Sequence, residues 1–181
     1  MSATRVITSS VLVPVLVGVV WFLPPLYFVG LVVIAATVSA QAPSAVVATV
    51  DEAKWGPAPP MLPPGARIAV LAGNPMGTGF YSVRLKFPAN YVIPAHSHPT
   101  DENVVVTKGD MTFGMGDKLS KKAPGNKTIH VGGYALAPTG MNHYAWAGKS
   151  GAEIVLYGQG PVEFKYVNPA DDPRNQKPAA K

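Results

Sequence analysis

Cysteine is absent from the 181 residues. That excludes disulfides, thiolate metal sites and cysteine nucleophiles, so any metal must be held by nitrogen and oxygen. Charge is sparse as well, at 14% of residues, and the formal net charge is only +5. Lysines and arginines are scattered without interleaved aromatics, which gives no reason to expect a nucleic-acid partner. Long helical periodicities are missing. In their place stand short valine-rich runs punctuated by 18 glycines and 19 prolines, a pattern that favours an all-β domain. No internal repeat is present, and His-x-His occurs once, which argues against a duplicated domain. Only four histidines occur in the whole chain, and how they are placed becomes the question.

The chain divides by composition. Residues 1–40 carry a positive charge at Arg5 and then a charge-free run over 11–40 that ends in Val38-Ser39-Ala40, a small-residue pattern like a signal-peptidase site. The run is longer than a usual signal core and long enough to span a bilayer at roughly 20 residues per crossing. Pro14, Pro24 and Pro25 would disturb a straight spanning helix. Two readings stay open, a cleaved signal peptide and a retained membrane anchor. Both place the globular part outside the cytoplasm, in the periplasm or the extracellular space. Residues 41–65 are rich in alanine and proline and read as a linker or an arm laid on the domain, with Trp55 and Met61 available to pin it. The domain proper is expected over 66–167, followed by a polar tail over 168–181.

Strands are expected at 67–72, 80–87, 103–108, 111–115, 128–131, 134–137, 143–146, 153–157 and 162–166, an array that suits a sandwich or barrel. In 80–87, Tyr81, Val83, Leu85 and Phe87 share one face, and the charges of Arg84 and Lys86 are expected on the outer one. The stretch 117–127, with Lys118, Lys121, Lys122 and Lys127, reads as a solvated surface loop.

The segment PAHSHPTDENVVVTKG, residues 94–109, places His96 and His98 one residue apart. In an extended strand alternate side chains project to the same side, so the two imidazoles converge. Glu102 opens the next strand, with Val104 and Val106 following on its face. A carboxylate buried on that face without a partner would cost roughly 1 to 3 kcal/mol or more, and a divalent cation is the simplest partner. Further on, GGYALAPTGMNH, residues 132–143, leads through a Pro-x-Gly turn to a third histidine, His143.

These residues resemble the two motifs of the cupins. His96-x-His98, Glu102 and Gly109 follow the spacing of the first, and Gly132, Pro138-x-Gly140 and His143 that of the second. The resemblance covers roughly 67–166. Asn90 stands where the first motif usually opens with glycine, and Ala147 where the second often closes with asparagine; both bear on turn geometry and pocket lining. The resemblance implies a jelly-roll β-barrel with a metal bound by His96, His98, Glu102 and His143. Three imidazoles and one carboxylate suit manganese, iron, nickel, cobalt, copper or zinc, and suit calcium poorly. Four protein ligands on an octahedral ion leave two positions for water, oxygen or a small-molecule substrate.

His130 fits neither motif and is expected to be structural. Tyr81, Tyr134 and Tyr144 are expected to pack in walls rather than to donate protons. Ala145 and Ala147 leave room beside His143. The functional expectation is a metal-dependent oxidoreductase or lyase acting on a small organic acid or phenolic compound, set against a non-catalytic module that binds or senses a small ligand or metal. Pairing of barrel edges between subunits makes a homodimer the expected assembly.

Overall fold

A computed structural model describes residues 45–47 and 49–176. The expected export or anchor segment, 1–40, lies outside the described residues, as does the end of the polar tail. No helix among the described residues is long and apolar enough to cross a membrane.

Nine strands make up the domain: β1 (Gly56–Pro57), β2 (Arg67–Ala72), β3 (Gly79–Phe87), β4 (Val92–Ser97), β5 (Glu102–Met115), β6 (Lys127–His130), β7 (Tyr134–Ala137), β8 (His143–Gly160) and β9 (Lys165–Tyr166). Single 3₁₀ turns stand at Val50–Glu52, Pro169–Asp171 and Pro173–Asn175. Every strand pairing is antiparallel, in the order β1-β2-β3-β8-β4-β9, with β5 joining β8 to β6 and β7. This is a jelly-roll β-barrel. Its closure depends on β8, whose 18 residues pair with β4 at one end and with β3 at the other.

The sequence suggests one strand on either side of Gly109 and one on either side of Gly151, whereas β5 runs through the first position and β8 through the second. The register slips beside Gly109 in the β5–β8 ladder, so the chain bends at a bulge without ending the strand. Gly109 has φ 69° and Gly151 φ 78°, a region that side chains disfavour. A Cβ at Gly109 would also lie 2.1 Å from the Gly151 carbonyl oxygen. The two glycines fold the long strands over a corner.

The inward face of β3 is as expected, with Tyr81, Val83, Leu85 and Phe87 buried. The outward face differs. Lys86 is exposed, but Arg84 is buried, bonded to Glu153 at 2.9 Å and lying 5.5 Å from the Trp55 ring. The cause is the arm, which lies over this face and takes a bond from Arg67 to the Trp55 carbonyl (3.1 Å). Farther along the arm, Met61 and Leu62 join the apolar core, the Tyr166 hydroxyl donates to the Met61 carbonyl (2.8 Å), and the Tyr91 hydroxyl donates to the Pro63 carbonyl.

The expected strand at 162–166 shrinks to β9. Its first half is spent on other bonds, with Val162 N–H donating to the Pro75 carbonyl (2.7 Å) and the Glu163 carbonyl turned to a histidine.

Candidate metal centre

The convergence of the histidines follows from register. His96 on β4 and His143 on β8 are directly opposed across the ladder, so their side chains share a face. A strict alternation from Ile93 would turn His96 outward. The register shift between Ile93 and His96 corrects this, at a point where Pro94 has no N–H to give the ladder. His98 lies just beyond β4, its carbonyl accepting from Gly140 N–H (2.9 Å), a bond that ties the first motif to the turn of the second. Glu102 begins β5 opposite Gly158 and Ala137.

All four residues are buried, His96 and His143 to within 2% exposure. One ligand nitrogen from each of His96, His98 and His143 lies within 4.8 Å of the other two, a group that can hold a metal ion. Glu102 stands against two of them, with Oε1 3.4 Å from His98 Nε2 and Oε2 3.5 Å from His143 Nε2.

Hydrogen bonding fixes which nitrogen each ring offers. His96 Nδ1 lies 2.7 Å from the Pro94 carbonyl, His98 Nδ1 2.7 Å from the Glu163 carbonyl, and His143 Nδ1 3.0 Å from the Met141 carbonyl. A carbonyl can only accept, so each Nδ1 carries the proton and each Nε2 keeps its lone pair when the ring is neutral. This arrangement of a backbone acceptor behind each imidazole is the usual support of a metal-ligating histidine. His98 Nε2 is buried and has no hydrogen-bond partner. Its 3.4 Å approach to Glu102 counts as an ion-pair distance, not as a bond that satisfies it. A lone pair facing a carboxylate is repulsive, so either a proton or a metal ion has to stand between the two. The residues fit a metal.

Electrostatics separates the rings. Burial, with His143 and His98 alongside, pushes His96 down to about 3, so it stays neutral. Burial is also the largest single influence on His98 and opposes its charge, yet the Glu102 carboxylate and the Glu163 carbonyl together hold it above its ordinary value. Burial would raise Glu102, but His98 and His143 outweigh it and hold the carboxyl well below the usual range. Without metal, the Glu102 charge beside His98 favours the protonated ring.

Two spaces border the cluster. An open groove of about 590 Å³ runs along Ser97, His98, Thr139, Asn142, Glu163 and Lys165. On the barrel side, His96, Glu102 and His143 face a chamber of about 20 Å³ whose other walls are apolar. Ala145 lines that chamber, but Ile93, Phe113 and other large side chains leave it little room.

Among the other expected residues, His130 is exposed at the end of β6. Tyr134 is half exposed and donates to Asn103 Oδ1 (2.7 Å), while Tyr144 is buried and donates to Asn126 Oδ1 (3.0 Å). Tyr81 packs in the wall, its phenol pushed up by burial and by the Glu102 charge. Sequence reasoning missed Glu163 and Phe164. The Phe164 ring stacks on His96 (centroids 4.4 Å apart, 14° between planes) and meets His98 edge-on at 4.6 Å. No spacing rule signals either residue, because both act on histidines more than sixty positions earlier.

The ChrR cupin-like domain family matches residues 43–163. A germin-like protein 8-14 of Oryza sativa subsp. japonica is 31% identical over 87 residues, 47% of this chain and 40% of that protein. The chain thus spans less than half the length of that relative. Among solved structures, a putative acetylacetone dioxygenase from Methylibium petroleiphilum shares the fold with a TM-score of 0.55 and 23% identity, covering 74% of this chain and 88% of that one. The polyketide cyclase RemF from Streptomyces resistomycificus does so with a TM-score of 0.54 and 15% identity, covering 72% and 90%. With both motifs in place on a jelly-roll barrel, and with a family match over most of its length, this chain belongs to the cupins, in the ChrR cupin-like family.

Proposed function

We propose that the domain holds a divalent transition metal, one of manganese, iron, nickel, cobalt, copper or zinc, through His96, His98, Glu102 and His143. The observation that carries this is the set of three Nδ1 protons committed to backbone carbonyls, which leaves three Nε2 lone pairs and a carboxylate meeting in a buried space.

On this reading the protein is a metal-dependent oxidoreductase or lyase, dioxygenase-like, acting on a small organic acid or phenolic compound outside the cytoplasm. Bound metal would supply a Lewis acid or a redox centre. The groove is of a size that takes small ligands, and it borders the cluster at His98. Lys165 gives it a cation for a carboxylate, and Asn142 and Thr139 give it neutral hydrogen-bonding groups. Exclusion of water falls to Phe164, packed over His96 and His98. The site outside the cytoplasm rests on the charge-free run at 11–40 and its small-residue end.

The test is metal analysis of the purified protein, then oxygen uptake and product analysis with a panel of small organic acids and phenols. Stoichiometric redox-active metal with turnover that His143→Ala abolishes is the expected result. A tightly held metal with no turnover on any substrate would favour a binding or sensing module, and no metal at all would refute the reading.

A further inference from the structure

The chamber beside His96, Glu102 and His143 has neighbours of an unusual kind. Beside it lies a second cavity of about 40 Å³ with an apolar lining that includes Met61 and Leu62 of the arm. Two residues, Leu156 and Phe164, line both spaces. Met76, at the rim of the second cavity, is 55% exposed, so this cleft reaches the surface. Leu156 belongs to the long strand β8 and is fixed by its ladder to β3 and β5. Phe164 belongs to no strand and sits between Pro161 and β9. It is the side chain that packs on the cluster itself, stacked on His96, and so it is the part of the partition nearest the candidate ligands.

The dimensions say what the chamber can take. Its volume of about 20 Å³ is just above the roughly 10–15 Å³ that a single water needs. Apart from the histidines and Glu102, its walls offer no polar group to a guest. A hydrated anion would have to shed its water to cross the apolar cavity and the partition, whereas a neutral diatomic gas loses almost nothing.

We propose that Phe164 is a specificity-determining residue that limits what reaches the cluster from the barrel interior to neutral, apolar molecules of diatomic size, such as dioxygen, entering by the cleft under the arm. Polar reactants use the groove beside His98. The inference rests on the metal reading above for its consequence, but the partition itself can be tested without metal.

In the metal-free protein, benzene is titrated while side-chain methyl resonances are followed. A dry cavity near 150 Å³ binds benzene. Phe164→Ala joins the two cavities and is expected to take benzene, shifting methyls on the cleft side (Met76, Val162) and on the chamber side (Val104, Ile154) together; the wild type is expected to show no such site. Phe164→Leu with xenon serves as the milder variant should the alanine protein fail to fold. In cobalt(II)-loaded protein, stopped-flow absorbance then follows nitric oxide, a neutral diatomic, and azide, a small anion. Phe164→Ala is expected to raise the nitric oxide on-rate at least tenfold and the azide rate by a clearly smaller factor. Benzene that shifts only the cleft methyls, or nitric oxide and azide rates that change by the same factor or not at all, would overturn the proposal. Protein that takes up no cobalt would sink the metal reading, while the benzene titration would still decide whether Phe164 is the partition.

Discussion

Loading the site with metal should stabilise the fold by an amount that mass action sets. A ligand that binds only the folded state at a free concentration of 100 times its Kd adds about 2.7 kcal/mol. The described domain runs over residues 49–176. At about 2.1 cal/mol/K per residue, its unfolding entropy comes to about 0.3 kcal/mol/K, so Tm should rise by about 9 °C. The assay is a thermal melt of protein stripped with chelator and then titrated with each of the six candidate metals, with calcium as a control that should do little. His143→Ala or Glu102→Gln should remove most of the rise, because each deletes a donor without touching the Nδ1 bonds of the other rings. If none of the metals raises Tm, or if His143→Ala keeps the full rise, the reasoning about converging lone pairs is wrong.

Acidification should weaken the metal-free protein. His96 is held near 3 against 6.5 when free, so below about pH 6.5 the unfolded chain binds a proton that the folded one refuses. At pH 4.5 that amounts to roughly 3 kcal/mol, and urea melts should show it, with His96→Asn flattening the slope. His98 works in the opposite sense. Its raised value contributes stability that is present below 6.5 and is lost as pH rises through the folded value, so a second decline on the alkaline side should vanish in His98→Gln. Glu153→Gln removes the carboxylate from buried Arg84 and should cost about 3 kcal/mol in urea unfolding. The double variant Arg84→Met with Glu153→Leu should recover most of that loss. Gly109→Ala, placed at φ 69° against the Gly151 carbonyl, should cost roughly 2 kcal/mol or more, whereas Gly125→Ala, in the open loop, should cost little.

What was legible in the sequence is what local periodicity and motif spacing encode. The alternation of Tyr81, Val83, Leu85 and Phe87 identified an inward face, and the spacing of His96, His98, Glu102 and His143 anticipated residues that the fold does bring together. Where the reading fell short, long-range contacts decided. The expected strands stop short of Gly109 and Gly151, but these glycines, whose backbones approach each other closely, bend two strands that continue. Arg84 was assigned to solvent because period-two logic knows only the sheet, not the arm that crosses its outer face. Phe164 and Glu163 carry no local pattern at all, since their partners are His96 and His98.

The three imidazoles are not anchored alike. His96 and His143 face each other across one ladder, so their backbone positions are set by the pairing of β4 with β8. His98 lies past the end of its strand and leans on one carbonyl in an irregular segment. A metal held here would draw on donors of two origins, a pair set by strand register and a third set by the segment before β9, so a change in that segment should disturb the His98 donor while leaving the ladder pair in place.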